Sequence, residues 1–141
     1  AFDLLADWVR DTMGAPLMTG LYINGLVPPK VQEAGRNDDQ LVLAVFLNRV
    51  IRTFVAGVME GVMNPNVLEE AGSAVEDAMF LHWFAKNVEK DFIRGMIQLN
   101  IVKRGMDPAN IRYITKLVRY GARKMWVALM EELRDGGAGE N

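Results

Sequence analysis

The chain has 141 residues, half of them apolar, with 16 Lys and Arg against 18 Asp and Glu, one His and no Cys. That apolar content fills the core of one domain of this length and excludes an intrinsically disordered chain, which lacks the buried surface to offset ordering entropy. The absence of Cys excludes a disulfide scaffold, a thiolate metal site and a thiolate nucleophile.

The chain opens Ala1-Phe2-Asp3-Leu4-Leu5, with no basic region ahead of a long apolar stretch, and reads as having no secretory signal. A short first helix is predicted from about Asp3 to Met13, stopped by Gly14 and Pro16. Residues 14–36 hold Pro16, Pro28 and Pro29 with Gly20, Gly25 and Gly35, and read as a long irregular arm. Two placements of this arm are open: a strap across its own bundle, or a reach to a neighbouring subunit. Within it, residues 20–25 (Gly-Leu-Tyr-Ile-Asn-Gly) are the sole strand candidate, too isolated to build a sheet.

Three long helices are predicted next, near Asp38–Val62, Ser73–Val102 and Pro108–Arg134. Asn37 with Gln40 fits a loose capping box and Ser73 with Glu76 a better one. Asp107-Pro108 reads as an N-cap followed by proline at the first helical position. Asn64-Pro65-Asn66 marks a turn, with a short helical turn at Val67–Ala71, and the Gly-rich tail 136–141 reads as disordered. The class is all-α and bundle-like: a short N-terminal helix and arm (1–36), a helical core (37–135) and a tail (136–141).

The stretch from Leu41 to Met59 is apolar on nearly every side but contains Asn48, Arg49 and Arg52. Two arginines at mid-span cost roughly 2.5–3.5 kcal/mol each on insertion, which favours a buried helix over a membrane span. A helix without a polar face must be enclosed all round, and one small subunit scarcely suffices. This helix and the apolar run Met125–Met130 therefore point to an oligomer, with burial inside a monomer equally open.

Charge is unevenly distributed. Residues 1–85 carry five basic and eleven acidic groups, residues 86–124 ten basic and three acidic, and residues 125–141 one basic and four acidic. Arg112, Lys116, Arg119 and Arg123 recur at helical spacing, within about a 60° arc and along about 16 Å of one helix. No acidic residue lies three or four positions away to neutralise them. Lys124 lies beside the row, Lys86, Lys90 and Arg94 form a looser ridge on the preceding helix, and Lys103 and Arg104 lie between.

Such a row suits a phosphate backbone, which arginine forks match bidentately and whose counterions binding releases. Tyr113 and Tyr120 add hydroxyls or stacking faces beside it. The competing expectation is that the acidic residues 1–85 supply the counter-charge. Arg49 and Arg52 are expected to pair with carboxylates first and with phosphate second.

Catalytic signals are missing. His82 stands alone among Phe80, Leu81, Trp83 and Phe84, and the sole serine, Ser73, is better explained as a cap than as a nucleophile. Neither a Walker-type loop nor a dinucleotide-binding glycine turn occurs, and the nine methionines suit core gaps. Glu69-Glu70 and Glu76-Asp77 fall near helix N-termini, where the helix dipole accounts for them. No enzyme activity, metal or cofactor is expected.

The leading expectation is a non-enzymatic subunit that self-assembles, alone or with a related subunit, and coats nucleic acid, DNA before RNA, without membrane insertion. Its long helices, proline-containing N-terminal connection and Arg112/Lys116/Arg119/Arg123 row resemble the helical coat proteins of filamentous archaeal viruses. The likeness is architectural and covers about residues 35–134. It implies a subunit that wraps double-stranded DNA into a flexible rod, with those four positions and Lys86, Lys90 and Arg94 facing the DNA, and a location in the virion; without it, the chain is expected in the cytoplasm. Two alternatives are a dimeric DNA-binding regulator, disfavoured by the scarcity of Asn and Gln on the last helix, and a helical adaptor with no nucleic-acid role.

Overall fold

The computed structural model describes residues 1–72, 78–102 and 107–139, and the regular structure among them is entirely helical. In chain order these are α1 (Phe2–Trp8), a π-helical turn (Val9–Met13), α2 (Gly14–Ile23), α3 (Pro29–Arg36), α4 (Gln40–Met63), α5 (Asn66–Gly72), α6 (Met79–Asn87), α7 (Glu89–Gln98) and α8 (Pro108–Gly139). The all-α class matches the expectation from sequence. Several boundaries do not.

The first correction concerns residues 14–36. Pro16 does not stop the helix: α1, the π turn and α2 follow one another without a break to Ile23. Proline removes one backbone donor and its ring crowds the carbonyl four residues back. That residue, Thr12, lies in the π turn, where wider i to i+5 bonding supplies the slack. The strand candidate is helical as far as Ile23, and the chain then turns at Gly25, whose φ of 70° suits glycine. Leu26 N–H bonds to the Leu21 carbonyl at 2.9 Å, closing α2 with a Schellman-type cap. Leu17, Leu21, Leu26, Val27 and Val31 all enter the core, so the segment packs on its own subunit and is not an extended arm.

The second correction is a break in the helix predicted over Ser73–Val102. Val88 leaves the helical conformation (φ −129°, ψ −14°), and the described part divides into α6 and α7. In an unbroken helix Phe84 and Phe92 would be about 12 Å apart along the axis. The break brings their ring centroids to 5.1 Å, with Phe54 of α4 at 4.9 Å from Phe92. Burial of three aromatic rings in one cluster outweighs the continuity of one helix. The Ser73/Glu76 capping box lies outside the described residues. Asn37 with Gln40 does not cap α4; Asp39 does, accepting from Val42 N–H at 3.3 Å. At the other end, α8 runs past Arg134 to Gly139, there being no proline to end it.

At the centre, α4 and α8 run antiparallel in close contact, with Gly57 beside Gly121 and Gly61 beside Leu117. A β-carbon on Gly121 would sit 2.8 Å from the Phe54 carbonyl oxygen, and one on Gly57 would sit 3.0 Å from the Gly121 α-carbon. Two indoles use glycine in the same way: Trp8 lies on Gly95 and Trp83 on Gly20. By length and composition alone α4 meets the requirements of a membrane span; its inner side, with Phe46, Val50, Phe54 and Val58, forms the core.

Gly121→Ala gains helix propensity yet places a methyl group against backbone that cannot yield. We expect it to lower unfolding stability by about 1–3 kcal/mol. Gly136→Ala, whose added β-carbon would meet no other part of the molecule within 4 Å, should be neutral or stabilising by up to about 1 kcal/mol. Urea denaturation of the two variants checks the contrast.

Candidate nucleic-acid interface

The phase of α8 is set at its first turn. Asp107 caps it as expected, accepting from Ala109 N–H through Oδ1 at 3.1 Å, with Pro108 at the first helical position. Ile114, Leu117, Val118, Met125 and Leu129 then point inward. At 100° per residue, Arg112, Lys116, Arg119 and Arg123 fall on the opposite, outward side. Arg112, Lys116 and Arg119 are exposed and Arg123 is half-buried.

The row is not left uncompensated. Lys116 Nζ pairs with Glu69 of α5 at 3.1 Å. Arg119 donates from Nε and Nη2 to the two carboxylate oxygens of Glu89 at the start of α7, at 2.6 and 3.2 Å. The absence of acids at helical spacing holds within α8, but other helices deliver them. The second pair is asymmetric: the Glu89 side chain is only 10% exposed and that of Arg119 63%. The hydrogen bond to Glu89 raises the Arg119 guanidinium above its ordinary pKa, with burial opposing it. Arg112 makes no ion pair among the described residues.

The second ridge follows the same mixed pattern. Arg94 faces Asp91 at 3.7 Å, while Lys86 and Lys90 are exposed and have no ion pair among the described residues. The Arg119–Glu89 pair ties the two ridges together, because Glu89 lies between Lys86 and Lys90 in the chain. Among the described residues Lys116, Arg119 and Arg94 thus meet Glu69, Glu89 and Asp91, while Arg112, Lys86 and Lys90 meet no carboxylate. Lys103 and Arg104 lie outside the described residues.

Three cations grouped with these from the sequence sit elsewhere. Lys124 lies about 110° around α8 from the row. With Arg49 and Arg52 it borders an open groove of about 650 Å³, lined also by Phe2, Val45 and Ala56. Each cation rests over a ring: Arg49 over Phe46 (5.8 Å), Arg52 over Phe2 (4.8 Å) and Lys124 over Tyr120 (5.4 Å). Each also has a carboxylate, Glu132 at 2.7 Å, Asp3 at 4.0 Å and Glu60 at 3.8 Å respectively. Burial pushes the Tyr120 phenol above its ordinary pKa, and its hydrogen bond to Glu60 adds to the shift. Of the twelve candidate cations, Arg49, Arg52 and Lys124 are therefore set apart from the α8 row, and Arg49 and Arg52 have the carboxylate partners expected for them.

The expectation that acidic residues of 1–85 supply counter-charge holds for Lys116 and Glu69, whereas Glu89 lies outside that range and was missed. Glu69 was accounted for by the helix dipole, and it does stand in the first turn of α5 while also reaching Lys116. Glu89 carried a usable signal: it shares the helical spacing of the buried Phe92 and Met96, and a carboxylate there demands a cationic partner. His82 is exposed, and among the described residues no group of three or more metal-ligating side chains converges. No family model, curated protein or solved structure matches this chain.

Because Glu89 is the buried partner, the two halves of its pair differ in value. Arg119→Gln strands a buried carboxylate and should cost about 2–4 kcal/mol, whereas Glu89→Gln frees an exposed guanidinium and should cost about 1 kcal/mol. Urea denaturation of both variants at pH 7 measures the difference.

Proposed function

We propose that this chain is a non-enzymatic structural subunit that self-associates and lies along nucleic acid, double-stranded DNA before RNA, through sequence-independent phosphate contacts. The observation that carries this reading is the outward row on α8, where Arg112, like Lys86 and Lys90 on the neighbouring helices, is exposed and outside any ion pair among the described residues. Exposed ion pairs contribute about 0–1 kcal/mol, so a phosphate replaces Glu69 at Lys116 at little cost. Arg119 keeps Glu89 and offers the remaining edge of its fork. The surface has little with which to read bases: α8 contains no Gln, and its single Asn, Asn110, is buried. The resemblance to the coat proteins of filamentous archaeal viruses supports the same reading and makes the virion its setting.

A second reading, a helical oligomer with no nucleic-acid role, is favoured by one specific observation, the internal pairing of Lys116 and Arg119. Affinity for random-sequence DNA as a function of salt separates the two. On the coat reading, Arg112→Gln combined with Lys90→Gln and Lys116→Gln weakens binding to every sequence and flattens the log K against log salt slope by about 0.9 per lost contact. Glu69→Gln, which removes the competitor of phosphate, tightens it. Absence of binding by the unaltered chain at low salt leaves the helical oligomer.

A further inference from the structure

The outer side of α4 is open to solvent along its length. Leu41 is 74% and Met63 85% exposed, with Val45, Arg49, Arg52, Ala56 and Glu60 spaced three to four residues apart between them. Exposed apolar side chains at both ends of a charged centre call for an occupant that answers both.

The charges on it specify one. Arg52 and Glu60 lie four residues either side of Ala56, about 6 Å each way along the axis. Turning a second copy by 180° about an axis through Ala56 makes the two α4 helices antiparallel. Each Arg52 then faces Glu60 of the second copy, twice over, as an isologous contact requires. The small residues Thr53 and Ala56 line the groove at the crossing point and let the backbones approach. The internal ion pairs of these two charges are long, Arg52 to Asp3 at 4.0 Å and Glu60 to Lys124 at 3.8 Å, and beyond them Arg52 lies over the Phe2 ring and Glu60 accepts from Tyr120. Arg49, one turn away, is held to Glu132 at 2.7 Å and is less free to exchange.

We infer that this face joins two copies of the chain, α4 against antiparallel α4, crossing at Ala56 and sealed by reciprocal Arg52–Glu60 pairs. The interface gives a form to the self-association proposed above and makes no use of the α8 ridge. The experiment is sedimentation of the full chain between about 1 and 100 µM, a range that brackets ordinary dimer affinities. The unaltered chain should dimerise. Arg52→Glu and Glu60→Arg should each weaken the dimer by about tenfold or more, since like charges then meet twice. The double variant Arg52→Glu/Glu60→Arg should recover it, a result that loss of the internal pairs to Asp3 and Lys124 cannot produce. A chain monomeric throughout overturns the inference, as do single variants that dimerise normally or a double variant that does not recover. A monomer that instead binds vesicles of anionic lipid overturns it too and gives the face to a membrane surface. DNA affinity of the single variants is read in parallel: if it persists while dimerisation is lost, the ridge reading and this interface stand separately. If dimerisation persists in a chain that ignores DNA, the interface stands and the coat reading falls.

Discussion

The close approach of α4 and α8 at Gly57 and Gly121 is the constraint on which the rest of the subunit depends. Without a β-carbon at either position, the two longest helices meet almost backbone to backbone, and the ring of Phe54 fits beside the contact. From that line outward, Phe54 gathers Phe84 and Phe92, whose cluster sets the break between α6 and α7. The break places Glu89 at the first turn of α7, within reach of Arg119. One steric fact near the middle of the chain thus governs where a carboxylate meets the cationic row. It also makes α4 and α8 a single stiff body, so their two outer faces keep a fixed angle.

Electrostatics on those faces is a matter of exchange between partners. Most of the ion pairs are exposed and contribute little to stability, and their carboxylates are replaceable by another anion. Glu89 is different because it is buried, and the low dielectric around it ties it to Arg119. The surface therefore combines one pair that is part of the fold with several that are settings a ligand or a second subunit can change.

Much of the fold was legible in the sequence. The apolar run of α4, the Asp107-Pro108 start of α8 and the Asn64-Pro65-Asn66 turn are local signals, and the structure has them at those positions. What failed depended on distant partners. Pro16 looked like a stop because a π turn leaves no mark in composition, and Val88 looked helical because the ring around which Phe84 and Phe92 gather, Phe54, lies far off in the chain on α4. The same holds for the candidate site. Helical spacing correctly put four cations on one outward face, whereas the pairing of two of them with carboxylates 47 and 30 positions away in the chain is set by tertiary packing, not by local spacing.

Glu69 and Glu89 also bear on what α8 needs from outside the subunit. A bare file of like charges would leave that helix to whatever anion happened to be nearby. By carrying part of its own counterion supply, the polypeptide balances part of the row from within.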